Sequence, residues 1–489
     1  MKSRIDIKNG LLTVALFAVC AFVSLWYMAP GTSPAIPQTM YDVGIFRTIG
    51  KCWADGGVPY VDIFDQKGPI LYMIYAFAAL IGPSKWPIFI IECLTLTLSA
   101  SLFYKTGTTL GCSKCNSRAA SVIMLFAAVL LCGMGGTVEE FSLPFELLPL
   151  WLTARCLKDN SRPLLRYSFF TGICFGCVSL IRINNNAVIV GICLTLAFIL
   201  VKQKEFKLLI KISLSFLAGL IVALLPFFIY FAANGALFAM LDSVFHTGWL
   251  YKLYWDVKYP TIQFIIIYSA SFFSLVAACY FAKGKSSRIV MLGLGVGFMI
   301  NVIFNIGGAY YLHYAVMLVP FLAVMWFFFK WGKWYIYILP IILCGTEFLV
   351  DNEDIVNRLR SVRYADPIQD PMIDCLSFIP LNEQRSIYVC GSIDSADIPL
   401  SLGYLPAGKY FFQQYSYGRL SKSLYNDIIN DFRRTSPLWV ISEAEDSEGS
   451  LAMLKPYMSD YELVTVTREQ VIPYRSEMAV YRKITAAGE

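Results

Sequence analysis

Charge is what this chain has least of. Of its 489 residues only 15% are Asp, Glu, Lys or Arg, and 57% are apolar, whereas soluble domains are about a quarter charged. That shortage excludes a single soluble fold, and the apolar content excludes a disordered or collagen-like chain. Histidine is scarcer still, with His246 and His313 the only two. A convincing internal repeat is missing, which argues against the transporter folds built from repeats. The 14 cysteines fall mostly in apolar stretches, where Cys acts as a small hydrophobe. The pairs Cys112/Cys115 and Cys174/Cys177 lack a second pair or a His at zinc spacing, so both read as structural. Cys375 and Cys390 form the one candidate disulfide.

What is present is a series of apolar stretches of membrane-crossing length. The chain therefore reads as an α-helical polytopic membrane protein. The first stretch, residues 11–28, follows Lys2, Arg4 and Lys8. It is too long for a signal-peptide core and no small-residue cleavage site follows, so it reads as an uncleaved helix with its N-terminus cytoplasmic. Later basic clusters, at Lys105 to Arg118, Lys158 to Arg166, Lys202 to Lys211, Lys283 to Arg288 and Lys330 to Lys333, fall on one side as the crossings alternate. This pattern predicts 11–13 transmembrane helices within residues 1–350, with outer loops at 29–68, 135–140 and 233–260. Residues 69–104, broken at Gly82-Pro83-Ser84-Lys85, make an odd number of crossings, which one full span plus either a half-span or a surface helix would satisfy. Residues 182–186 form the outer tip of a hairpin, and spans follow at 313–329 and 334–350. Residues 351–489 then lie outside as a small α/β domain. Its strand-like runs are Ser386 to Cys390, Leu438 to Ser442, Leu463 to Thr467 and Met478 to Tyr481, with helical patterns near 421–433 and 448–457. It has no glycine fingerprint and no metal-ligand spacing.

The acids are unevenly placed. Residues 351–489 hold 20 of the 34, which leaves 14 in residues 1–350. Half of those 14 occupy two windows: Asp42, Asp55, Asp62 and Asp65, then Glu139, Glu140 and Glu146. Asp42 opens an amphipathic stretch just after the first span, at the height of a lipid headgroup. A carboxylate there can be a general base or one ligand of a divalent cation. Lys67, before the helix that re-enters at Pro69, can hold a phosphate as a point charge or snorkel to the membrane edge. Arg47 is a second cation in that window. Glu139 and Glu140 lie at a helix start, where the helix dipole and capping favour an acid. Glu146 lies deeper, and an intramembrane carboxylate points to function. Arg182 at the hairpin tip needs a partner, either a phosphate or a loop carboxylate such as Glu139. Both histidines fall in or beside outer segments, His313 next to Tyr314.

In order, these residues are a span, a loop with Tyr41-Asp42, the run Pro59-Tyr60-Val61-Asp62-Ile63-Phe64-Asp65-Gln66-Lys67-Gly68-Pro69, a second loop with Glu139-Glu140, the Arg182-Ile183-Asn184 tip, and a late glycine-to-His313-Tyr314 span. The order resembles the GT-C superfamily of integral-membrane glycosyltransferases, in particular its bacterial family 39-like branch of protein mannosyltransferases and aminoarabinose transferases, over most of residues 11–330. The resemblance implies a polyprenyl-phosphate-linked sugar donor, used on the outer face of the bacterial plasma membrane, with inversion at the anomeric carbon and a glycan, lipid or protein acceptor. It implies Asp42 as catalytic base, Glu139 or Glu140 as the second-loop acid, and Lys67 near the lipid phosphate. Arg182 and Arg47 are further candidates for the phosphate. Asp62, Asp65, His246, His313 and Tyr314 are candidates for donor or acceptor contacts. The chain departs from the family pattern in two places: Val43 follows Asp42 where the family has an acid, and Gln66 precedes Lys67. Mg or Mn is the only cofactor considered, with Asp42 and Glu139 as its ligands. Nucleic acid is not an expected partner. Two other classes fit a polytopic chain: a transporter or flippase of lipid-linked saccharide, which needs its polar residues near the bilayer midplane, and a non-enzymatic envelope assembly protein, which would tolerate loss of Asp42.

Overall fold

The computed structural model describes residues 2–36, 42–159, 164–254, 261–305, 310–329, 378–391, 400, 404–443, 449–467 and 478–484. Its chain divides into two compact units. The first comprises residues 1–35, 85–230 and 255–359; the second comprises 36–84, 231–254 and 360–489. The expected domain limit at 350/351 and the span at 334–350 lie outside the described residues.

The first unit is helical. Helix α1 (Lys2–Met28) is followed by α4 (Trp86–Thr109), α5 (Lys114–Cys132), α6 (Val138–Asp159), α7 (Leu164–Arg182), α8 (Ala187–Lys202), α9 (Phe206–Ala233), α12 (Ile262–Phe281) and α13 (Lys285–Asn305). Among the described residues, seven helical segments are long and apolar enough to cross a membrane; one of these, Leu164–Lys202, contains both α7 and α8. Local chemistry sets the ends. Ser113 caps α5 by accepting from the Asn116 N–H, and Gly133 closes it in the left-handed conformation at φ +68°. In lipid there is little hydrophobic drive between helices, so close approach of small residues matters more. A Cβ on Gly191 of α8 would lie 2.3 Å from the Gly297 nitrogen of α13, so these two helices meet backbone to backbone. Phe17, Phe89, Phe103, Leu125, Leu147 and Phe321 fill the core of this unit. The α7–α8 hairpin forms as expected, Cys174 and Val178 packing with Ile189. The expected span at 313–329 departs from a regular α-helix: it runs as 3-10 helix over Leu312–Leu318, a short α14 (Val319–Ala323), and 3-10 again over Val324–Phe327.

The second unit holds two helices from the first outer loop region. The amphipathic stretch at Asp42 is helix α2 (Asp42–Ala54), and α3 (Pro69–Ile81) is the short helix expected before the break at Gly82. Gly50 lets α2 lie on α3, since a Cβ there would be 2.6 Å from Tyr75 backbone. The second long loop is helical through Tyr254, as α10 (Leu237–Leu241), a π-helical turn Asp242–Thr247 and α11 (Gly248–Tyr254). The apolar residues Leu237, Phe238, Met240 and Leu241 had been grouped with a polar loop because the run is too short for a span. The C-terminal segment forms a four-stranded sheet in the order β1-β2-β4-β3, from β1 (Ile387–Cys390), β2 (Trp439–Glu443), β3 (Tyr461–Thr467) and β4 (Met478–Lys483). β1 and β2 are parallel; β4 runs antiparallel to both β2 and β3. Ile387, Val389, Trp439, Ile441, Met478 and Val480 alternate along their strands and form one buried face. Helix Lys422–Thr435 is capped by Ser421, and its Phe432 meets Tyr388 edge-on at 5.1 Å. Cys390 is buried in β1, while Cys375 lies outside the described residues.

Candidate functional site

In the first unit the hairpin tip builds one constellation. Helix α7 ends because the Arg182 backbone turns extended (φ −161°, ψ 115°), and Ile183–Asn186 follow as a 3-10 turn. Asn185 Nδ2 donates to Ser142 Oγ at 3.0 Å, which bolts the tip to the start of α6. Asn186 Nδ2 donates to Ser179 Oγ at 3.0 Å. These bonds place the Arg182 guanidinium 2.6 Å from Glu139 Oε1, with its other flank over the Tyr314 ring at 3.9 Å. Glu139 is fully buried and Arg182 keeps 23% of its side chain exposed, so the cation is the member of the pair that reaches solvent. His313 meets Tyr314 edge-on at 4.6 Å and stacks on Tyr311. Four residues that the sequence singled out separately, Glu139, Arg182, His313 and Tyr314, thus belong to one cluster. Of the two partners open to Arg182, the structure shows the carboxylate.

Glu140 lies at the same helix start. Thr137-Val138-Glu139-Glu140 is a capping box: the Glu140 carboxylate accepts from the Thr137 N–H at 3.2 Å at the start of α6. Cys132 Sγ also donates to Glu140 Oε2 at 3.1 Å, and in α4 Glu92 Oε1 accepts from the Gly136 N–H at 2.8 Å. Glu92 had not been singled out, although a lone acid inside the span 86–109 was the available signal. Glu139 and Glu140 are fully buried rather than solvated at a rim, and Glu146, expected deeper, is fully buried too.

In the second unit Asp42 is half-buried in the first turn of α2, where the helix dipole favours the carboxylate. Arg47 donates to the Pro83 carbonyl at 2.9 Å. Asp62 is exposed and closes a turn by accepting from the Val58 N–H at 2.7 Å. Asp65 is buried and receives three donors: Tyr72 Oη at 2.7 Å, Tyr417 Oη at 3.0 Å and the Gln66 N–H at 2.7 Å. Lys67 is gripped by its backbone, its N–H donating to Tyr72 Oη at 3.1 Å and its carbonyl accepting from Tyr60 Oη at 2.8 Å. Burial first, and the Asp65 carboxylate second, push the Tyr60 and Tyr417 phenols well above the ordinary tyrosine range, so both remain donors. The three tyrosines had not been singled out. His246 is exposed and pairs with Asp242 at 2.9 Å along its own helical turn, which ties it to none of the other candidates.

Among the described residues no three His, Cys, Asp or Glu side chains come together as a metal-binding set. Glu139, one of the two ligands considered, gives Oε1 to Arg182. Among the described residues these donors do not form a divalent-cation site.

The family model described as "Putative competence-induced protein Ccs4 N-terminal domain" matches residues 47–208, about a third of the chain. No curated protein sequence gives a significant match. Among solved structures, ArnT from Cupriavidus metallidurans bound to undecaprenyl phosphate is similar at a TM-score of 0.60 and 12% identity, covering 96% of this chain and 97% of that one. ArnT from the same organism in the apo state is similar at 0.61 and 11%, covering 97% and 98%. A likeness of that length at that identity establishes the fold: a polytopic helical membrane protein with the fold of the ArnT structures and a small C-terminal sheet.

Proposed function

We propose that this chain is a glycosyltransferase that moves a sugar from a polyprenyl-phosphate-linked donor to a cell-envelope acceptor on the outer face of the plasma membrane. The observation that carries this reading is the end-to-end similarity to ArnT, a protein captured with undecaprenyl phosphate. A glycosyl phosphate is already activated, so no nucleotide is required. The acceptor hydroxyl loses its proton to Asp42 as its oxygen bonds the anomeric carbon from the face opposite the phosphate. The bond from that carbon to the phosphate oxygen breaks, the electron pair leaves with the polyprenyl phosphate, and the configuration inverts. Lys67 or Arg182 stabilises the charge on the departing phosphate. Glu139 and Tyr314 act through Arg182 by fixing its orientation, and Glu140 supports the helix start that carries Glu139.

The test is sugar transfer from a polyprenyl-phosphate donor in membranes containing the Asp42→Asn or the Lys67→Ala variant. Each is expected to lose about 100-fold or more in rate. Full activity in both rejects the site. Chelator added to the same assay is expected to leave the rate unchanged, and a chelator-dependent loss restored by Mg or Mn rejects the metal-free scheme.

A further inference from the structure

The C-terminal sheet domain has no site of its own among the described residues, yet it reaches the loop that ends at Lys67. Phe64 donates its N–H to the Lys409 carbonyl at 3.1 Å, and its ring lies between Tyr410 at 4.9 Å and Tyr417 at 5.2 Å. Next along the chain, Asp65 accepts from Tyr417 through Oδ1 and from Tyr72 through Oδ2. Tyr72 Oη in turn accepts from the Lys67 N–H. Tyr60, which hydrogen-bonds the Lys67 carbonyl, is fully buried in a left-handed conformation at φ +72° and packs on Phe231 at 5.5 Å. Tyr72 Oη, which donates to the Asp65 carboxylate, is polarised as an acceptor for the Lys67 N–H, and Tyr417 holds that carboxylate in place through its other oxygen. Tyr417 is 352 positions from Asp65 in sequence.

We infer that Tyr417 is a positioning residue: through Asp65 and Tyr72 the C-terminal domain latches the Lys67 backbone, and thereby sets how tightly Lys67 holds a lipid-linked phosphate. The inference rests on the phosphate-binding role proposed for Lys67. It assigns the domain a task in donor binding rather than in the acceptor.

The experiment measures undecaprenyl phosphate binding by the full-length protein in lipid nanodiscs, for the wild type, Lys67→Ala, Tyr417→Phe and the double variant. Lys67→Ala is expected to weaken binding about tenfold, the scale of one charged contact, and Tyr417→Phe about threefold to tenfold. In the Lys67→Ala background Tyr417→Phe should add less than a twofold further loss, because its effect passes through Lys67. Tyr72→Phe, which cuts the same relay on the other side of Asp65, should repeat the pattern. Hydrogen exchange at residues 64–68 should quicken in Tyr417→Phe while β1 and β2 keep their protection. Weakened binding in Lys67→Ala with none in Tyr417→Phe overturns the latch alone, as does a full additive loss in the double variant. Unchanged binding in Lys67→Ala overturns the phosphate role of Lys67 and the latch with it.

Discussion

Arg182 and Lys67 are two scarce cations held by opposite means. Arg182 is fixed through its side chain, clamped between the buried Glu139 carboxylate and the Tyr314 ring. Lys67 is fixed through its backbone, by tyrosine hydroxyls on its N–H and carbonyl. The first arrangement neutralises part of the charge to keep the cation in place. The second places the residue through hydroxyls on its main chain.

Four changes break or sharpen that contrast. Glu139→Ala should act most strongly. It leaves Arg182 without its buried partner and should destabilise the protein by about 3–5 kcal/mol, seen as a lowered unfolding temperature; Lys67→Ala keeps the backbone bonds and should lower that temperature less. Tyr72→Phe removes a donor from buried Asp65 and an acceptor from the Lys67 amide, and should cost about 1–3 kcal/mol of stability. Tyr314→Leu keeps the bulk but not the ring face, and should cost about 1–2 kcal/mol while lowering transfer activity through Arg182. His246→Ala removes an exposed ion pair and should change stability by less than about 0.5 kcal/mol with no effect on transfer. Were Lys67→Ala to destabilise as much as Glu139→Ala, the distinction between the two modes would fail.

The sequence was most informative where one physical rule acts alone. Apolar length and the basic clusters carried the helices, and strand-like runs carried all four strands to within two residues. The GT-C resemblance rested on the Lys67-Gly68-Pro69 run and His313-Tyr314, and the fold agrees with it. What was not legible depends on long-range partners. Glu139 and Arg182 are 43 positions apart, and only the hairpin brings them together. Glu140 makes the cap bond that its place at a helix start suggested, and its bond from Cys132, on the preceding helix, was not legible. Asp65 looked like a solvated ligand because it is a loop acid, yet Tyr417 buries it from the far end of the chain. Residues 237–241 were lost to an outer loop because five apolar residues are too few to read as a helix.

The central claim, that this is an inverting glycosyltransferase with Asp42 as its base, is tested most directly by the Asp42→Asn variant in a single assay that follows both donor binding and sugar transfer. The account predicts that undecaprenyl phosphate still binds as in the wild type while transfer falls about 100-fold or more. Transfer at the wild-type rate would contradict it.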